Sequence, residues 1–293
     1  MGGRLLRMAW GLLPVALMAA LLWHSAVVGQ AVREGLILCA RSVLPSLFPF
    51  FVAVSLAVES GAFRTLRQLG LPVGAAVFLL GIVGGYPVGA RTIGALCRAG
   101  QLSPTGGARL LTFCNNAGPS FVLSIAGGVV FGSRRAGLAL YLIHALTALA
   151  AGGLLGGFRR ETARSGLPPE VPPSPAAALV SAVGGGALAM VNVCAFVVFF
   201  LAVAALLRQL WPGLPPPLLG LLELTGGITS LTGGRGDFCA AAALLGWGGL
   251  SVHCQTAAVL EGSGVPLGRY LLAKAVQGIL SALLALAIYP AAV

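Results

Sequence analysis

At 293 residues, 58% of them hydrophobic and 9% charged, the chain has too little charge for a soluble domain, in which about a quarter of residues are ionisable. Its mean hydropathy of +0.97 makes the bilayer its solvent. A net charge of +11 would suggest nucleic acid in a soluble chain. Here the arginines punctuate the ends of apolar runs and form no stripe, so they read as topology signals and anionic-lipid contacts, with the lipid bilayer as partner and no nucleic acid.

Arg4 and Arg7 precede the apolar run Met8 to Val28. A basic flank before an apolar run is also the pattern of a signal peptide, but about twenty residues is the length that crosses a core of roughly 30 Å, so residues 1–30 are expected to be an uncleaved first transmembrane helix. Residues 31–61 carry Arg33, Glu34 and Arg41, then Pro45 and Pro49. Each proline removes a donor and crowds the preceding turn, which predicts an amphipathic helix, a break at Pro45 to Pro49, and a second helix to Glu59. A span is expected from about Leu71 to Ala90, followed by a less apolar stretch with Arg91 and Arg98 that stops near Gly100. Ser103-Pro104 is a good N-cap and first-turn pair for a helix that carries Arg109 and runs into Asn115-Asn116-Ala117-Gly118-Pro119. Phe121 to Phe131, a turn at Gly132 to Arg135 and a span from Gly137 to Phe158 close this half.

Residues 159–176 form the one clearly aqueous stretch, a Pro/Arg-rich linker inclined to polyproline II. Beyond it the sequence predicts a helix or broken pair from Ala177 to Trp211, a proline break at Gly213 to Pro217, and a segment through Glu223 to Gly234. Spans from Phe238 to Leu260 and from Leu267 to Tyr289 complete the chain. The halves match in order: Phe50-Phe51 with Phe199-Phe200, Gly84-Gly85 with Gly226-Gly227, Phe113-Cys114 with Phe238-Cys239, Gly132-Ser133 with Gly262-Ser263, and Tyr141-Leu142 with Tyr270-Leu271. The expectation is an all-α polytopic membrane protein of about eight membrane segments, some re-entrant or broken. It holds two related, inverted repeats, 31–158 and 177–293.

An Asn-Asn-Ala-Gly-Pro turn at bilayer depth needs partners for its backbone, supplied either by protein or by a water-filled cavity. Asn115, Asn116 and the adjoining Ser120 are therefore candidate substrate ligands, although asparagines also serve as glue between helices. Glu223 is the lone acid between Glu170 and Asp237 and, with Thr225, sits beside a glycine pair. A buried carboxylate is costly enough to be kept for a partner, whereas one at the membrane surface needs none. Ser251, His253 and Gln255 would share a side only if their glycine-rich segment were unwound; close helix packing explains the same glycines. His144 and Lys274 occupy similar places in the two final spans, just after Tyr141 and Tyr270, with a satisfied bundle histidine and a snorkelling lysine as the simpler accounts. Six cysteines and three histidines form no CxxC and no paired ligand spacing, so no metal and no cofactor is expected. GxxxxGK[ST], HExxH and GxSxG are absent, and no enzyme is expected.

Gly84-Gly85-Tyr86-Pro87-Val88-Gly89-Ala90-Arg91, the run Phe113 to Pro119, and Gly246 to Gln255 together resemble the YlbJ family of sporulation integral membrane proteins, grouped with the nucleoside-recognition, or Gate, membrane domains. That resemblance implies a multi-pass protein of the cytoplasmic membrane in a spore-forming bacterium, related in domain type to nucleoside transporters and the gate of ferrous-iron permeases. The reading is a secondary transporter or gated permease for a small polar solute; its rival is a non-transporting scaffold or assembly factor for sporulation. A coupling ion and a homo-oligomer are compatible with either.

Overall fold

The computed structural model describes residues 2–158 and 174–292, and every regular element among them is helical. The expected linker lies outside the described residues apart from its last three, which open a helix. The chain begins with α1 (Gly2–Trp23) and turns by 92° into α2 (Ser25–Leu38). The first transmembrane helix expected over residues 1–30 is therefore two segments meeting at His24, whose backbone has left the helical region (φ −102°, ψ 30°).

The chain winds on from α2 through a π-helical turn, Cys39–Val43, into α3 (Leu44–Glu59). The expected break at Pro45 to Pro49 does not form. The helix restarts after the wider turn with Pro45 in its first turn, where a missing N–H is tolerated, so Pro49 alone lies in the helix interior. Next come α4 (Ala62–Gln68), α5 (Val73–Gly84), a turn at Gly85-Tyr86-Pro87, and α6 (Val88–Arg98). The span expected at Leu71 to Ala90 is thus only α5, whose 12 residues rise about 18 Å, short of a hydrocarbon core.

Ser103 caps α7 (Pro104–Cys114) by accepting a bond from the Gly106 amide at 3.0 Å, as the sequence predicts. After the irregular residues 115–118 the chain rewinds as a π-helical segment, Ser120–Val130, and then as α8 (Arg134–Leu154). In the second half α9 (Pro175–Leu210) is one unbroken helix of 36 residues. The short α10 (Pro216–Leu219) and α11 (Leu224–Thr229) follow. The span expected at Phe238 to Leu260 is two helices, α12 (Arg235–Trp247) and α13 (Gly249–Leu260), because Gly248 takes a left-handed conformation (φ 92°) that ends one and starts the other. The last helix is α14 (Gly268–Ala292).

Of the eight membrane segments expected, three described helices are long and apolar enough to cross a bilayer, in α8, α9 and α14, or four if the bent pair α1–α2 counts as one. Much of the remaining apolar sequence lies in helices of 10–17 residues, too short to cross alone.

The long path α2–α3 packs antiparallel on α9. Gly35 meets Val198 and Leu201, Cys39 lies beside Cys194, Val52 meets Gly186, and Glu59 accepts a bond from Ser181 at 2.8 Å. Small residues at Gly35 and Gly186 let these backbones approach, which is how helices associate when lipid gives no hydrophobic drive. On the other side α12 packs along α14 with Gly246 against Gly278, and α8 joins α14 through Thr147 and Ser281 hydroxyls 2.8 Å apart. In addition α7 packs on α14, and α12 on α8.

Candidate functional site

The break after α7 is built from two sequence motifs that close on each other. A Cβ at Gly81 of α5 or Gly89 of α6 would collide with the Cys114 carbonyl oxygen, so these two glycines admit the last carbonyl of α7. Gly85, at φ 80°, packs against Gly118. At the end of the first motif the Arg91 guanidinium donates to Gly185 O on α9 at 3.0 Å.

Most polar groups of the break are satisfied by protein, Asn116 Oδ1 excepted. Asn115 Oδ1 accepts from the Ala90 amide at 3.3 Å, and its Nδ2 donates to Thr256 Oγ1 at 2.9 Å and to the Tyr270 hydroxyl at 3.3 Å. Its backbone carbonyl accepts from Lys274 Nζ at 3.0 Å. Asn116 Nδ2 returns to Phe113 O at 2.6 Å, and the Ala117 amide donates to His144 Nε2 at 3.0 Å. Gln277 links Lys274 to α8, accepting from Lys274 at 2.7 Å and donating to His144 O at 3.1 Å. The Lys274 ammonium also lies 5.0 Å from the centroid of the Tyr86 ring. Lys274 and His144 are each 1% exposed, so Lys274 does not snorkel. Asn116 Oδ1 and His253 Nε2 are buried without a partner among the described residues.

In front of this network lies a cavity of about 70 Å³, room for a few waters or one small solute. It draws its walls from both halves: Ser42 and Leu47 on the α2–α3 path, Tyr86, Gly118, Val193 on α9, and Glu223 with Thr225 and Gln255. Glu223 is 2% exposed and caps α11 with its own carboxylate, Oε1 accepting from the Thr225 amide at 3.0 Å and Oε2 from the Gly226 amide at 2.6 Å. Those bonds use two of about four lone-pair sites and leave acceptor capacity for a ligand. Gln255 donates one of its two amide N–H groups to Ser251 Oγ at 3.2 Å, which leaves the other N–H and the carbonyl oxygen for further partners. A second, more open cavity of about 430 Å³ meets the other side of Glu223, with Glu34 and Arg208 in its walls.

Of the eight residues singled out from sequence, Glu223, Thr225 and Gln255 therefore line one cavity. Asn115 lies behind Tyr86 in the buried network, and Asn116 is buried beside it in the break. Ser120 opens the π-helical segment and is not among the cavity walls. Ser251, His253 and Gln255 sit on a regular helix, not an unwound strand. Ser251 meets Gln255 one turn on, and His253 instead meets the Tyr270 hydroxyl at 3.1 Å. The residues underweighted in the sequence are Lys274, Gln277 and Tyr86. For Lys274 the available signal was its place close behind Tyr270, as His144 lies close behind Tyr141.

No family model matches the chain, and no solved structure matches it significantly. Over 146 residues it is 30% identical to the sporulation integral membrane protein YlbJ of Bacillus subtilis (strain 168). The match takes in 46% of this chain and 36% of that protein, so the chain spans little more than a third of the length of the curated relative it matches. The motif resemblance to YlbJ is upheld by this similarity, and with the apolar helices it identifies a multi-pass membrane protein similar to a sporulation protein of a spore-former.

Proposed function

We propose that the chain is a gated permease that passes a small polar solute across a membrane during sporulation, with Glu223, Thr225 and Gln255 holding the solute. The observation that carries this reading is the position of Glu223. It is a buried carboxylate shared by an inner cavity assembled from both halves and a wider vestibule. Burying a carboxylate among membrane helices is costly, so a residue of this kind between two cavities marks a solute or ion path. The short helices α10 and α11 separate the two spaces and are the natural moving part.

The same reading takes the halves as related repeats, in the order long helix, short helices, half-helix, break, second half-helix and final span. The reciprocal packing of α7 on α14 and α12 on α8 supports it. A kinship with Gate domains fits that order. The scaffold alternative draws on a different observation, the closure of the break by protein groups around Asn115, whose side chain and carbonyl are all bonded.

Flux into reconstituted vesicles separates the two, using a panel of nucleosides, small carboxylates and metal ions. The expected result is uptake of one class by wild type, and at least a tenfold loss in Glu223→Gln with an unchanged melting temperature. Wild-type vesicles that move none of the panel, while Glu223→Gln still supports sporulation, would leave the scaffold reading.

A further inference from the structure

We propose that Cys39 and Cys194 are a disulfide-forming pair, oxidised by a low-molecular-weight disulfide, and that closing the bridge locks the wall of the solute path. The packing of the α2–α3 path on α9 brings the two together. A Cβ at Gly35 would come 3.4 Å from Val198 Cα, so a glycine lets the backbones approach closely there. Four residues on from Gly35 and four back from Val198, one turn further along each antiparallel helix, stand Cys39 and Cys194. The Cys39 thiol donates to the Cys194 carbonyl oxygen at 3.9 Å, and the two thiols are themselves hydrogen-bonded neighbours. The thiols of Cys97 and Cys114 instead meet the carbonyls of Ser103 and Gly74.

The exchange has a direction, because Cys194 is half-buried whereas Cys39 is 3% exposed. The Cys194 sulfur attacks the S–S bond of the reagent, and one thiol departs with the Cys194 proton. The Cys39 sulfur then attacks Cys194 Sγ, the mixed disulfide breaks, and a second thiol departs with the Cys39 proton. One S–S bond is broken and one formed, so the protein loses the two electrons that the reagent gains. The lock rests on the permease reading. Cys39 opens the π-helical turn whose Ser42 and Val43 wall the inner cavity, and Val193 and Val197 wall it from α9 on either side of Cys194. Gly35, Leu38 and Leu201 wall the vestibule, so the pair stands at the seam of α2 and α9 between the two spaces. A π-turn holds one residue more than an α-turn, and passing that residue along the helix would carry Ser42 and Val43 past α9. A bridge at the first residue of the turn forbids the movement.

The test treats the full chain in reconstituted vesicles with dithiodipyridine, blocks the remaining thiols and maps peptides without reduction. Most of the wild-type chain should yield a peptide pair linked through Cys39 and Cys194, and a thiol reductant should abolish the link. Cys39→Ala should stop at the mixed disulfide on Cys194, and Cys194→Ala should leave Cys39 unmodified. Solute flux through wild type should fall at least tenfold on oxidation and recover on reduction, while Cys194→Ala keeps its flux throughout. Because Cys194 is the half-buried member, Cys194→Ala serves alone as the control if Cys39→Ala does not fold. A wild-type map without the link after Cys194 has reacted overturns the pair, and a linked chain that still passes solute overturns the lock. Wild type without flux before oxidation overturns the permease reading and the lock with it, whereas the peptide map still decides the disulfide.

Discussion

Lys274 is 1% exposed, with its terminal nitrogen on two protein acceptors. A lysine in an apolar helix suggests a side chain reaching for the interface, since four methylenes and one charge permit it. Here the ammonium instead turns inward to the Asn115 carbonyl and Gln277 Oε1, tying the break of one half to the final span of the other. The substitution Lys274→Met conserves much of the volume but leaves two buried acceptors bare, each worth about 1–3 kcal/mol. It should therefore lower the melting temperature in detergent markedly, whereas a snorkelling lysine would tolerate the change within about 0.5 kcal/mol. Glu223 was legible because an acid in so apolar a segment is conspicuous. Tyr86 and Gln277 were not, because their partners are 159 and 133 residues away in sequence and no local pattern signals such distances.

The helices were legible where consecutive signals agree. Ser103-Pro104 marks a start, and Asn115 to Pro119 marks a stop; both stand as read. Prolines misled at Pro45 and Pro49, because a π-helical turn ahead of them let the helix restart with Pro45 in its tolerated first turn. The bend at His24 has no glycine or proline to announce it. The glycines of the first motif offer a test at this scale. Gly81→Ala places a methyl against the Cys114 carbonyl oxygen, a backbone atom that cannot swing aside, and should destabilise the protein by about 1–3 kcal/mol or more. Gly184→Ala, on α9 with open space around it, should be neutral or stabilising by up to about 1 kcal/mol. Thermal melts of the pair check both; equal loss in the two would mean that α5 does not cradle the break.

At the scale of the whole molecule, the long antiparallel pair of α2–α3 with α9 and the α8–α14 core flank a smaller moving candidate, the α10–α11 segment. It approaches α9 at one point: a Cβ at Gly226 would come 2.7 Å from Leu201 Cδ2, at the wall of the vestibule. Cysteines at these two positions would face each other, in a background where the six native cysteines are replaced. If solute passes Glu223 by displacement of α11, oxidising Leu201→Cys with Gly226→Cys to a disulfide should stop vesicle flux, and a thiol reductant should restore it. Each single cysteine variant should stay active under the same oxidant. Flux that continues after the free thiols have disappeared would mean that α11 does not gate the path. A protein without measurable flux before oxidation would return the molecule to the scaffold reading, because a bridge between α11 and α9 matters to transport only if the two must part.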